Sequence, residues 1–527
     1  MTLAEFLNHW SLAENPFLAE EARNDAVFAR LSTEGVQSAA LPHPVFHSDF
    51  EKVMGDLRRP SSAIIFGEKG SGKTAMRLQL ASRVAVHNRD NPQARVLLIA
   101  YDDLNSSLDR FTGRSLRADR GEGRSVLEAL QKIRLVDHID GILKRAIPPI
   151  VDSMLGLPAP PDPVDLGPDA KRIARKLDPS TKRELLLLQA LYDRNDEADL
   201  RTTALRRRLR MMLPWSRLIT WAAALLGWLA PVGMYVVLSK YDNGSFPKGM
   251  LYGFYGLAGL WGLALVKLAV WDRFAFHRLA HKVRKQIRVS SRSDRSYARA
   301  LRQLDPIARD PATLPLNDSD EPRYAMLDRL RHVLRPFGYT GVIIVLDRVD
   351  EPTLISGDPD RMKAVVWPLL NNKFLQQDGI GVKMVLPIEL RHILFRESAA
   401  FFQEARLDKQ NLVERLTWTG AMLYDLANAR IAACRGTPRE STSGTVRPLA
   451  LLDLFAEDVT RQDLVDALDQ MHQPRDAFKF LYRCLVEHCS NNTSDQNSFR
   501  IPRLVLDQVR KHEADRVQQL YRGLRPA

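Results

Sequence analysis

Two uncharged apolar stretches, residues 218–239 and 249–266, lie between a glycine-rich loop and the acidic strand end that such a loop ordinarily works with. The loop is Gly67-Glu68-Lys69-Gly70-Ser71-Gly72-Lys73-Thr74, which fits the phosphate-binding pattern G-x-x-x-x-G-K-[ST]. The acidic strand end is Val342-Ile343-Ile344-Val345-Leu346 closed by Asp347. Any fold for this chain must bring positions 73 and 347 together across a long insertion, or leave the loop without its partner.

The two apolar stretches set the terms. A bilayer core of about 30 Å takes about 20 apolar residues as a helix, so both are long enough to span one. The other reading is a pair of buried core helices. Length weighs against it, as do the glycines Gly253, Gly256, Gly259 and Gly262 and the aromatic residues near the ends, Trp215, Trp221, Tyr241, Tyr252 and Trp271. The spacing Gly256, Gly259 and Gly262 predicts close approach of two membrane helices. Net charge is +13, and its position decides what it means. Arg201, Arg206, Arg207, Arg208, Arg210 and Arg217 precede the first stretch with no acid among residues 201–217. Arg273, Arg278, Lys282, Arg284, Lys285 and Arg288 follow the second, with no acid in 273–288. Two sixes account for nearly all of the excess, so a general polyanion-binding surface is not expected and no nucleic-acid partner is predicted. The positive-inside rule places both flanks in the cytoplasm and the short loop between the stretches outside. The sequence therefore predicts a two-span protein of the inner membrane, its lipid contact made by the hairpin and both termini cytoplasmic. With both ends on one side, the segments before and after the hairpin can fold together.

Ordinary composition supports soluble folded parts, with 45% hydrophobic and 26% charged residues over 527 positions, enough for several domains. Cys434, Cys484 and Cys489 form no metal-ligand pattern; Cys484, His488 and Cys489 read as a buried helical face. Few cysteines fit a reducing compartment, and the acidic start Met1-Thr2-Leu3-Ala4-Glu5 shows no signal peptide.

The loop's context is that of a nucleotide site. Ser62-Ala63-Ile64-Ile65-Phe66 reads as a short buried strand, and residues 74–87 as a helix. Gly67, Gly70 and Gly72 let backbone N–H groups curl around phosphates, and a helix N-terminus adds partial positive charge. Glu68, Lys69 and Ser71 complete the loop. Lys73 would reach the β- and γ-phosphates and the Thr74 hydroxyl would ligate Mg²⁺, with Asp347 as the second partner of the metal. Asp350 and Glu351 are both candidates for the acid that orients or deprotonates the attacking water, Asp350 slightly favoured; Arg348 stands where many such enzymes carry a second acid. Strands at 95–101, 341–346 and 382–388 predict an α/β fold on a parallel sheet with helices on both faces. Glu389, closing the last of these, could sense the γ-phosphate, and Arg391 could act in cis or across a subunit interface, in which case a homo-oligomer follows. The expected ligand is ATP or GTP with Mg²⁺.

The loop 67–74, the segment Leu346-Asp347-Arg348-Val349-Asp350 and the inserted hairpin resemble KAP-type P-loop NTPases, on the STAND and AAA+ side of the superfamily, whose members carry transmembrane helices within the NTPase domain. Glu14-Asn15-Pro16-Phe17 looks like the lead-in of bacterial AAA+ and STAND ATPases. Pro474-Arg475-Asp476-Ala477-Phe478 resembles a lid-helix sensor in which Arg475 would contact the γ-phosphate. Arg348 departs from the family pattern. The resemblance implies a nucleotide-dependent switch or assembly motor in signalling or in bacterial defence against phage; a non-hydrolysing membrane scaffold and the ATPase subunit of a transport assembly are the alternatives.

The expected organisation is a lead-in (1–48), a first NTPase half (49–104), a helical insert (105–200) suited to a protein partner, the hairpin with its flanks (201–288), a helical connector (289–339), a second NTPase half (340–448), and a C-terminal helical lid or winged-helix-like module (449–527). Prolines over 148–168 are expected to break the insert into two helical groups.

Overall fold

A computed structural model describes residues 1–18, 21–34, 45–118, 125–158, 164–194, 197–212, 215–240, 248–395, 411–435, 449–492 and 498–521. The connecting loop with Tyr241 and Asp242, part of the proline-rich stretch and the polar loop 493–497 fall outside these residues. The chain divides into two units. The first comprises 1–102, 341–366 and 370–527; the second, 103–340 with 367–369, is inserted in the chain between strands of the first.

The first unit is α/β. Runs of Ile and Val that are apolar on both faces cannot alternate inside and out, so they form a parallel sheet covered on two sides. The strands are β1 (Ala63–Gly67), β2 (Arg95–Tyr101), β3 (Tyr339–Leu346), β4 (Ile380–Pro387) and β5 (Asn411–Val413), in the order β2-β3-β4-β1-β5. The short β5 gave no usable sequence pattern. Ile64 pairs with Met384 and Ile344 with Val382, so β4 lies between the loop strand β1 and the acidic strand β3. The loop and Asp347 thus share the carboxyl edge of one sheet, where crevices of open α/β sheets lie.

The lead-in and the C-terminal segment are not separate modules. Phe6, Leu12, Phe17 and Val27 share one core with Leu423, Ile431, Leu468, Phe480 and Leu506. The N-terminal ammonium donates to Asn492 O at 2.9 Å, and Trp10 Nε1 to Phe499 O at 2.9 Å. Cys484, His488 and Cys489 are buried on the helix Pro474–Asn491.

The second unit is helical. Its helix Leu135–Leu155 runs straight through Pro148 and Pro149, where the sequence suggested a break. Burial on nearly every side compensates for the hydrogen bonds that the prolines remove. The first apolar stretch is broken instead. It forms two helices, Trp215–Leu226 and Leu229–Lys240, rather than one continuous helix. Pro231 explains the position, because its ring would strike the carbonyl of Gly227 in a continuous helix. The second stretch, Leu251–Gln286, is a 36-residue helical run with a π-type turn at Lys267–Trp271. Among the described residues it is the one helix long and apolar enough to cross a membrane.

The two stretches do pack as a hairpin: Trp261 Nε1 donates to Ala224 O at 3.0 Å, and Gly253 lies against Met234. The glycines expected at the seam are elsewhere. A side-chain carbon built at Gly256, Gly259 or Gly262 would meet open space, so these face away from the partner helix. The hairpin leaves Leu225, Tyr235, Leu260 and Leu263 each more than three-fifths exposed.

The basic flanks also differ from their sequence reading. Arg201 is buried and pairs with Asp152 at 2.7 Å and Asp193 at 2.8 Å; Arg288 grips Asp137 through two hydrogen bonds of 2.8 and 2.7 Å; Arg284 pairs with Asp294 at 2.7 Å. Arg206, also buried, donates to the carbonyls of Gln303 and Met212. The tally stopped short of Asp193 and Asp294, just beyond the flanks, and of Asp152 and Asp137 far along the chain, so part of the apparent free charge is structural.

Candidate functional site

The loop between β1 and the helix Lys73–Asp90 takes its shape from two left-handed glycines, Gly70 (φ +102°) and Gly72 (φ +92°). A side-chain carbon at Gly70 would also come within 2.8 Å of Gln473 Oε1 and 3.2 Å of Arg475 Cβ, so the loop is held tight against the helix Pro474–Asn491. Lys73 Nζ donates to Gly67 O and Glu68 O, each at 2.8 Å. Burial pulls the Lys73 pKa down, opposed by the carboxylates of Asp350, Asp347, Glu389 and Glu68. Ser71 Oγ donates to Glu68 O at 2.9 Å, and Trp418 Nε1 to Ser71 O at 2.8 Å. Glu68 faces the C-terminal segment, pairing with Arg415 at 2.5 Å and accepting from Gln473.

Asp347 closes β3 and is 1% exposed. Its Oδ1 accepts from Arg348 N at 2.9 Å. Its Oδ2 is buried without a hydrogen bond, 3.3 Å from Arg77 Nε, which is itself unbonded. Burial raises the Asp347 pKa, and Arg77 is the main opposing charge. Arg77, unnoticed in the sequence, lies one helical turn beyond Lys73 on the same face, which is the signal that would have found it. It also pairs with Asp102 at 2.6 Å, and Asp102 with Arg23 at 2.7 Å.

The turn after Asp347 separates the two candidate acids. Arg348 adopts φ +60°, a conformation uncommon for a residue with a side chain. It pairs with Glu351 at 3.1 Å and Glu21 at 3.3 Å. Glu351 is thus engaged, with burial lifting its pKa and Arg348 opposing. The half-buried Asp350 carboxylate has no hydrogen bond or ion pair among the described residues.

A cavity of about 370 Å³ joins these groups. Lys69, Gly70, Gly72, Lys73, Thr74, Asp347, Asp350 and Glu351 line one part, and Arg475, with Pro474 and Phe478, another. The N-terminal residues Glu21, Asp25 and Phe28 line it as well, which the sequence did not reveal. Asp25 is fixed by Arg430, which is 2% exposed and donates to Pro16 O at 2.5 Å and Asp25 at 2.7 Å. That bond gives Glu14-Asn15-Pro16-Phe17 its place: the motif anchors a strap that reaches the cavity. Glu389 and Arg391 are not among the lining residues. Glu389 acts on Lys73 only through its charge, while Arg391 is tied to Glu414 at 2.6 Å and stacked over Phe395.

The donor set suits a hard cation. Asp347 and Thr74 line one cavity, a carboxylate and a hydroxyl beside a glycine loop in which a side chain at Gly70 would meet Gln473 and Arg475. Comparisons of the chain with family models, with curated proteins and with solved structures gave no match.

Proposed function

We propose that the chain is a membrane-anchored P-loop NTPase, most simply an ATPase, whose nucleotide state works as a switch. The observation that carries this reading is the convergence of Lys73, Thr74, Asp347 and the unpaired Asp350 on one cavity beside the glycine loop, at the carboxyl edge of the sheet. Asp347 is 1% exposed with Arg77 as its ion-pair partner at 3.3 Å, and a cation in the cavity would add a second.

In this reading the loop N–H groups and Lys73 bind the phosphates, Lys73 exchanging its bonds to the loop carbonyls for phosphate oxygens. Thr74 and Asp347 hold Mg²⁺, which when bound offsets charge on the phosphate oxygens. Asp350, the acid without a partner, orients water and accepts its proton; Glu351 is left to pin Arg348. Arg475 adds positive charge beside the loop. The switch follows from who lines the cavity. The N-terminal strap and the lid helix would both sense its contents, and Arg77 links Asp347 through Asp102 to Arg23 on the strap. The exposed apolar hairpin is taken to enter a bilayer as two spans, the first interrupted at Gly227, with the Arg and Lys flanks cytoplasmic.

Purified full-length protein in detergent should turn over ATP or GTP, and both Lys73→Ala and Asp347→Ala should abolish turnover. Wild-type rates retained by either variant would remove the assignment. A tag within 242–246 should be reachable only from outside the membrane.

A further inference from the structure

The helical unit treats its basic side chains in two ways. Arg201, Arg288 and Arg323 hold the buried carboxylates of Asp152, Asp193, Asp137 and Asp140, and Arg292 holds the Ala190 carbonyl. A second group is left over. Lys171, Arg172, Arg175 and Lys176, on the short helix Ala170–Lys176, and Arg210, just past the helix Ala198–Arg208, line one open cleft of about 500 Å³. Its one acidic lining residue, Asp169, is taken by Arg172 at 2.9 Å. Among the described residues the other four side chains have no ion-pair partner. Five cations against one carboxylate leave four uncompensated charges around a cavity of small-ligand size, which concentrates anions.

The position in the chain says which anion. Arg210 stands five residues ahead of Trp215, where the apolar hairpin begins. Five residues reach at most about 18 Å, so the cleft cannot lie far from the root of the exposed apolar surface. Basic clusters at the root of a membrane helix meet the headgroups of acidic lipids.

We propose that this cleft binds the phosphate headgroup of an anionic phospholipid and fixes the root of the hairpin to a charged leaflet. The proposal rests on the membrane reading given above and adds a lipid preference that apolar contact alone would not confer. Hydrocarbon would hold the hairpin in the bilayer, and the cleft would select the lipid beside it.

The test uses the full-length protein in neutral detergent, titrated with dioctanoyl phosphatidylglycerol, with dioctanoyl phosphatidylcholine and with inorganic phosphate. Saturable, salt-sensitive binding is expected for phosphatidylglycerol alone. Lys171→Gln/Arg175→Gln/Lys176→Gln should weaken it about a hundredfold, each charge contributing roughly fivefold, with the melting temperature unchanged because all three side chains are exposed. Arg210→Gln alone should cost about fivefold and serves if the triple variant does not fold. Equal affinity for phosphatidylcholine, competition by inorganic phosphate at equal concentration, or unaltered affinity in the variants would each overturn the headgroup site. Alkaline carbonate washing of native membranes separates the two readings. Retention of the chain with unaltered variant affinity would reject the cleft and leave the anchor standing, whereas release would reject both.

Discussion

Asp137 and Asp347 are buried alike, 2% and 1% exposed, and the protein satisfies only one of them. Asp137 receives two hydrogen bonds from Arg288 and a third from Arg134 N at 2.9 Å. Asp347 receives one, and its second oxygen has an arginine at 3.3 Å but no bond. The first arrangement is structural: it locks a helix end in the inserted unit. The second lies on a cavity shared with Lys73, Thr74 and Asp350, where a ligand could add to it. Burial alone would not have told them apart, and an oxygen without a hydrogen bond is shared by Asp140 and Asp152 in the helical unit; the cavity that Asp347 lines with Lys73 and Thr74 makes the difference.

This contrast can be broken most forcefully at the turn beyond Asp347. Asp350→Asn should lower turnover about a thousandfold with nucleotide binding retained, whereas Glu351→Gln should change it by no more than about threefold. Steady-state rates with a parallel binding titration check both, and the reverse ranking would return the role to Glu351. Next comes Asp137→Ala, which should destabilise the protein by about 3 kcal/mol and leave nucleotide binding intact, because Arg288 loses its partner. Asp347→Ala should leave the melting temperature within a degree or two of wild type, because the buried carboxylate is costly to desolvate and Arg77 keeps Asp102 as its partner. Thermal denaturation in detergent distinguishes them, and an equal loss of stability would erase the distinction.

A smaller effect concerns pH. Asp140 is fully buried, and burial lifts its pKa from 3.8 to about 7 against the opposing charge of Arg323. The folded state therefore holds a proton that the unfolded chain releases. The stabilisation is complete below about pH 4 and is lost as pH rises through 7. Asp140→Asn should flatten this decline, which amounts to about 1 kcal/mol per pH unit between 5 and 7; melting curves across that range test it. Smallest is Arg475→Ala, expected to weaken nucleotide affinity about tenfold.

Much of the site was legible because its chemistry is local. The strand, the glycine loop and the helix are consecutive, and Asp347 closes an unmistakable apolar run. What stayed hidden depends on residues far apart in sequence. Asp25 and Arg430 meet across 405 positions, and their contact turns the N-terminal segment into a wall of the cavity. Arg391 read as a catalytic candidate because a strand end usually points into a crevice, but Glu414 claims it. The flanking arginines counted as free charge because Asp193 lies just outside the flank counted for Arg201, and Asp152 and Asp137, which pair with Arg201 and Arg288, lie far along the chain. The glycine spacing at 256–262 gave the size of a contact and not its direction. Pro231 did carry the signal for the broken first stretch, outweighed there by hydropathy.

The central claim is that Lys73 and Asp347, separated by the whole inserted unit, serve one nucleotide. ATP affinity of the full-length protein in detergent, measured with and without Mg²⁺, addresses it directly. The account predicts that Mg²⁺ tightens binding in wild type, that Asp347→Ala abolishes the Mg²⁺ effect while keeping residual binding, and that Lys73→Ala abolishes binding in both conditions. An Mg²⁺ effect of undiminished size in Asp347→Ala would contradict it.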